Sequence, residues 1–176
     1  RIMYAGNIGD GQGLHLIIPA LAQRLGARAN FCIVGAGGRL QALRDAVTGD
    51  DLSNVQLIPP VERGRLLDMY GQADVLFLHL NDFSAFRRVL PSKLFEYAAT
   101  GKPILAGVAG FAADFVRTEV TNAEVFAPCD LEGAIAAMEK LSLEPKARPG
   151  FVERFSRRRI MGAMASDVLD LALKAD

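Results

Sequence analysis

The chain is short of cysteine, of net charge, of long apolar runs and of histidine clusters, and each shortage removes a class of protein. Only Cys32 and Cys129 occur. Two cysteines cannot build a disulfide framework, and Cys32 sits in the apolar run Asn30–Val34 as a buried thiol would, so a reducing cytoplasm is the expected compartment. Lys and Arg number 20 and Asp and Glu number 20. That balance argues against a broad nucleic-acid surface, which needs a basic excess, but not against a small local anion site. No apolar run approaches the ~20 residues of a membrane helix, and no signal-peptide pattern is seen. The two histidines, His15 and His79, stand apart, with no cluster at metal-ligand spacing. No metal and no cofactor is therefore expected, and a core or surface role is the reading for both rings. No nucleophile elbow of the form G-x-S-x-G occurs either.

What is present is alternation. Six strand-length apolar segments, Arg1–Ala5, Asn30–Val34, Val55–Ile58, Asp74–Leu80, Ile104–Ala106 and Glu124–Phe126, alternate with helical periodicity. The helical segments are Leu14–Leu25, Arg39–Val47, Arg65–Gln72, Ser92–Thr100, Ala112–Glu119, Leu131–Leu141 and Phe151–Lys174. Asp130 is a candidate cap for the sixth helix, and Gly101 a stop for the fourth. This pattern implies an α/β fold with a doubly wound, parallel, six-stranded Rossmann-like sheet. Ligands in such sheets bind at the carboxyl ends of the strands, which points to the loops after Ala5, Val34, Ile58, Leu80 and Ala106. Residues 1–144 form the expected domain. Residues 145–176 read as a linker followed by a C-terminal helical segment. The chain starts at Arg1 and enters a strand at once, as a piece of a longer protein would.

The segment Pro91–Pro103, PSKLFEYAATGKP, is the richest in chemistry. Ser92, Lys93 and Leu94 open a helix, where unpaired N–H groups and the positive end of the dipole suit a phosphate. Lys93 adds a cation there, and Glu96, one turn on, can accept from sugar hydroxyls. A capped helix with a surface lysine and glutamate would look the same. Gly35-Ala36-Gly37-Gly38 invites a dinucleotide reading, but it follows the second strand and lacks the full G-x-G-x-x-G fingerprint. It serves equally as a tight turn with no cofactor. Arg154, Arg157, Arg158 and Arg159 form a basic run that could meet anionic lipid headgroups, although a solvated helix face is the commoner outcome.

The segment PSKLFEYAATGKP resembles the donor-binding signature of retaining glycosyltransferases with two Rossmann-like domains, the GT-B fold. It is closest to the group of family 4 that builds surface polysaccharide and lipopolysaccharide. YAGNIGDGQGL (Tyr4–Leu14), FCIVGAGGRLQAL (Phe31–Leu43), NVQLIPPV (Asn54–Val61) and ADVLFLHL (Ala73–Leu80) fit the same family in order. The resemblance implies the C-terminal, donor-binding half of such an enzyme, taking a nucleotide-sugar donor, a UDP-sugar, with no cofactor. The acceptor, a lipid-linked or lipopolysaccharide glycan, would be met through an N-terminal domain. The final helix would cross back to that domain, and a peripheral contact with the inner face of the cell membrane would accompany it. It also implies that Glu96 holds ribose, that Ser92–Leu94 meet the diphosphate and that Pro60 and Val61 meet the base through their backbone. Gly6, Asn7, Gln12, Gly35 and Gly37 then line the donor cleft.

Two departures from the family pattern stand out. A glutamate expected eight positions before Glu96 is Arg88, and a basic pair in the first loop maps onto the neutral Asn7 and Gln12. Either Arg87, Arg88 and Lys93 supply the missing charge, or the site leans on backbone amides; Lys93 and Arg88 are the candidate catalytic cations. Arg88 would bind phosphate or a carboxylate-bearing sugar, or else be a solvated loop arginine. Sugar choice is expected from the loop Asn81–Leu90. The rival readings are an NAD-dependent nucleotide-sugar epimerase or dehydrogenase, and a degenerate, non-catalytic nucleotide-binding module.

Overall fold

Alternation within the first strand sets up the layers. Along β1 (Ile2–Asn7), Ile2 and Tyr4 enter one core while Met3 and Ala5 enter the other, because successive side chains of a strand face opposite ways. The same division runs through β2 (Phe31–Ala36), β3 (Val55–Ile58), β4 (Val75–His79), β5 (Ile104–Gly107) and β6 (Ala123–Phe126). In this computed structural model, which describes residues 1–173, all six strands run parallel in the order β3-β2-β1-β4-β5-β6. This is the doubly wound order, whose direction of winding reverses between β1 and β4.

Helices cover both faces. α1 (Leu14–Leu25), α2 (Leu40–Gly49) and α6 (Leu131–Lys140) lie over the core containing Ile2, Tyr4 and Phe77. The opposite core, with Met3, Leu76 and Leu78, is covered by α3 (Arg63–Gln72), α4 (Ser92–Ala99), α5 (Phe111–Glu119) and α7 (Pro149–Arg154). Asp130 caps α6 as expected, its carboxylate accepting from Gly133 N–H at 3.0 Å. Gly101 follows α4 with φ at 76°, a left-handed stop.

Three expectations need correction. Ser92 does not cap α4: Pro91 holds the cap position, extended, and Ser92 is already helical. The expected loop after β4 contains a 3-10 turn, Ser84–Arg88. The expected final helix is two helices, α7 and α8 (Arg157–Leu173), and its anticipated end at Lys174 lies outside the described residues. The break has a physical cause. Phe155 turns into an aromatic cluster with Phe95, Phe115 and Phe151, and the Ser156 hydroxyl then accepts from Arg159 N–H at 3.3 Å to start α8.

The linker before α7 is held by Arg148, which is 7% exposed. Its guanidinium donates to the carbonyls of Thr121, Ala98, Lys102 and Asn122 at 2.8–3.2 Å. Ala98 lies in the last turn of α4, where the dipole favours a cation. Ile160, Met161, Met164 and Val168 are exposed along α8, whose first turns line a hollow with α3 and α4 through Arg157, Ile160 and Met161.

Candidate functional site

The sheet opens where its winding reverses. β1 and β4 are paired only at Ile2–Val75 and Met3–Leu76, so beyond Met3 the edge of β1 needs other partners. Tyr97 of α4 supplies them: its buried hydroxyl accepts from Ala5 N–H at 2.9 Å and lies 3.4 Å from Ala5 O. This bond fastens the helix carrying Lys93 and Glu96 to the end of the first strand. The segment Gly9–Gly13 fills the upper part of the gap. His79 Nδ1–H donates to Gln12 O at 2.7 Å, Asn81 N–H to Gly11 O at 2.8 Å and Asn81 Nδ2 to Asp10 O at 3.0 Å.

His79 itself is neutral. Burial lowers its pKa to about 4 against the opposing pull of the Gln12 carbonyl. Its Nε2 accepts from Cys129 N–H at 3.0 Å, which fixes the tautomer with the proton on Nδ1. The ring is thus a structural tie between three loops.

The loops after β1 and β2 are clasped together. Ile8 N–H donates to Ala36 O and Arg39 N–H to Ile8 O, at 2.8 and 2.9 Å. Arg39 Nε meets Asp10 Oδ1 at 2.9 Å. Two glycines permit this approach. A Cβ on Gly35 would overlap Gly6 O, and one on Gly37 would stand 2.5 Å from Ile8 O.

A cleft of about 370 Å³ opens at this edge, lined by Ala5, Gly6, Asn7, Val34, Gly35, Ala36, Pro60, Val61, Leu66 and Lys93. Gly6, Asn7, Gly35, Pro60, Val61 and Lys93 among the expected site residues are thus brought together. A second hollow, about 930 Å³, meets the first at Lys93 and contains Ser92, Glu96, Arg63 and Phe155. Between the hollows, Lys93 Nζ contacts Glu96 Oε2 at 2.8 Å. The N–H groups of Ser92 and Lys93 have no acceptor among the described residues, as the opening of a helix leaves them.

Four expected residues stand elsewhere or act differently. Leu94 is fully buried and its N–H donates to Pro91 O at 3.0 Å, so it offers an anion neither side chain nor amide. Gln12 lies behind the cleft, its Oε1 accepting from Asn7 Nδ2 at 2.9 Å and Gly9 N–H at 3.2 Å. Gly37 serves the clasp and does not line the cleft. Arg88 is exposed at the end of its 3-10 turn and lines neither hollow. The positioning groups Tyr97, His79 and Asn81 were not identified from sequence. Only the aromatic face of α4 hinted at Tyr97, and nothing local announces a bond across 92 residues. In the basic run, Arg154 pairs with Glu119 at 2.7 Å and Arg159 with Glu153 at 3.5 Å. Among the described residues, no helix is long and apolar enough to cross a membrane, and no group of three His, Cys, Asp or Glu side chains could hold a metal.

Solved structures share this architecture. An Anabaena protein, Alr3699/HepE, determined in complex with UDP-glucose, superposes with a TM-score of 0.76 at 20% identity, over 96% of this chain and 48% of that one. The catalytic domain of the cholesterol-α-glucosyltransferase of Helicobacter pylori matches over 97% of both chains, with a TM-score of 0.59 and 13% identity. At these identities the likeness establishes the fold, a Rossmann-like half of the GT-B type. In sequence, WcaI of Escherichia coli K12, a candidate colanic acid biosynthesis glycosyl transferase, is 34% identical over 100 residues. That match takes in 57% of this chain and 24% of WcaI, so the chain spans a quarter of this relative and about half of the Anabaena protein. Residues 1–158 match the family described as glycosyl transferases group 1, and the chain belongs to that family.

Proposed function

We propose that this domain binds a nucleotide-diphosphate sugar, specifically a UDP-sugar. The protein would transfer its hexosyl or N-acetylhexosaminyl group, with retention of anomeric configuration, to a lipid-linked polysaccharide or lipopolysaccharide acceptor. The observation that carries the nucleotide part is the meeting of Lys93, the free amides of Ser92 and Lys93, and Glu96 beside a mostly apolar cleft at the reversal point of the sheet. The leaving group of such a transfer is a nucleotide diphosphate. Its developing charge needs fixed donors and cations, and the start of α4 supplies both. Lys93 would exchange Glu96 for phosphate, and the released carboxylate would take the ribose hydroxyls. Pro60 and Val61 would flank the base.

Membership of the glycosyl transferases group 1 favours this reading over a dehydrogenase, and the loop after β1 lacks G-x-G-x-x-G. The UDP-glucose complex of the Anabaena protein supports a uridine donor, and the match to WcaI supports a surface-polysaccharide acceptor. Acceptor binding would fall to an N-terminal half, with residues 145–176 reaching toward it. The protein would work in the cytoplasm, with Arg157 and Arg158 contributing to a peripheral contact with the membrane. Titration of UDP into the full-length protein and its Glu96→Ala variant tests the ribose assignment. The expected loss is about 10- to 100-fold in affinity, the worth of charge-assisted bonds to two hydroxyls. An unchanged affinity would refute it.

A further inference from the structure

One buried polar group beside the cleft is left without work. Tyr70, on α3, is 1% exposed, and its ring stands edge-on to Tyr97 with centroids 5.5 Å apart. Its hydroxyl has no hydrogen-bond partner. Buried polar atoms are almost always partnered, and an orphan calls for a reason. The neighbouring phenols are occupied: the Tyr97 hydroxyl is engaged with the Ala5 backbone and the Tyr4 hydroxyl donates to Asn7 O at 2.6 Å. Two charged groups lie near Tyr70: Arg63, on its own helix, and Glu96, which precedes Tyr97 on α4 and is an acceptor. Burial raises the Tyr70 phenol, and the Glu96 carboxylate raises it further, by its charge and by standing at the margin of hydrogen-bond range of the hydroxyl, yet the contact does not close into a hydrogen bond. Glu96 is drawn instead to Lys93 at 2.8 Å.

We propose that Tyr70 is a positioning residue for Glu96, donating its hydroxyl to the carboxylate once a bound diphosphate has drawn Lys93 away. The inference rests on the nucleotide reading above. A carboxylate released from its lysine inside a half-buried hollow needs a replacement donor, because an unpaired charge there is costly. A phenol suits this. It is fixed by the Tyr97 contact, and its single proton engages one lone pair of a carboxylate that has several, leaving the rest for the ribose 2′- and 3′-hydroxyls. Lysine engaged with Glu96 would compete for those same positions. The orphan state of Tyr70 is then a property of the empty site only.

Tyr70→Phe in the full-length protein tests this, with UDP and 2′-deoxy-UDP titrated calorimetrically into wild type and variant. Wild type is expected to prefer UDP by about tenfold, the worth of one hydrogen bond to a charged acceptor. The variant is expected to bind UDP about tenfold more weakly and to lose most of that preference. A purely structural role would weaken both ligands equally and leave the preference intact, which would overturn the inference. Urea denaturation of the empty variant should match or exceed wild type, since an orphan hydroxyl is removed. A loss of stability would mean that the hydroxyl already has a partner, and would also overturn it. If wild type binds no UDP, the nucleotide reading fails and this inference with it. If wild type binds UDP and Tyr70→Phe changes neither affinity nor preference, only the role of Tyr70 fails.

Discussion

Lys93→Met separates the charge of Lys93 from its packing. The lysine stem lies over Gly6, with Cε 3.6 Å from where a Cβ of Gly6 would stand, and methionine keeps most of that apolar contact. What is lost is the ammonium. At about 4 Å and an effective dielectric of about 20, its attraction to one phosphate charge is worth roughly 4 kcal/mol. Taking the ammonium from Glu96 costs wild type something in return. Both side chains are 28–29% exposed, so that pair is worth at most about 1 kcal/mol. The net is about 3 kcal/mol, or about 150-fold in affinity for UDP. Uridine carries no phosphate and should bind variant and wild type within about threefold of each other. Calorimetric titration of both ligands at fixed low salt measures the two numbers. Equal losses for uridine and UDP, or no loss for either, would refute placing Lys93 at the diphosphate.

The scaffold gives two further outcomes. Arg148→Ala removes a donor from four carbonyls, of which those of Ala98 and Asn122 keep a backbone N–H, and should cost about 3 kcal/mol in urea denaturation, with Arg148→Lys recovering only part because one ammonium cannot span all four. His79 holds its folded pKa near 4 against an ordinary 6.5. Below pH 6.5 the unfolded chain therefore takes up a proton that the folded chain refuses, and stability should fall by about 3 kcal/mol as the pH drops from 6.5 to 4. His79→Phe keeps the stack between Phe77 and Phe126 and should flatten that part of the pH profile, as read from denaturation midpoints across the range.

The layers were legible in the sequence because burial imposes local periods. DVLFLHL is nearly continuously apolar because both faces of β4 are covered, and the apolar stripe of α1 faces a single core. Element ends were less legible. Ser92 looks like a cap, yet the extended conformation of Pro91 already turns the chain into α4, and the bend at Phe155 follows from distant aromatics that no local period reports. In the site, residues that meet through loop ends, namely Gly6, Asn7, Gly35, Pro60, Val61 and Lys93, could be anticipated from strand order and family pattern. The groups that hold them could not. Tyr97 reads as an ordinary core aromatic until its hydroxyl is seen at the splayed edge of β1. Arg148 reads as a linker charge until four carbonyls are found around it. Leu94 was expected to present an amide, and the tight turn from Pro91 consumes it.

The central claim is that the cleft at the end of β1 takes a nucleotide-diphosphate sugar, and direct titration of the full-length protein with UDP-, GDP- and ADP-sugars tests it. Saturable binding of a UDP-sugar below millimolar concentration, displaced by UDP and weakened about 150-fold by Lys93→Met, is the expected result. Absence of binding for every nucleotide at millimolar concentration, or binding that Lys93→Met and Glu96→Ala both leave untouched, would contradict it.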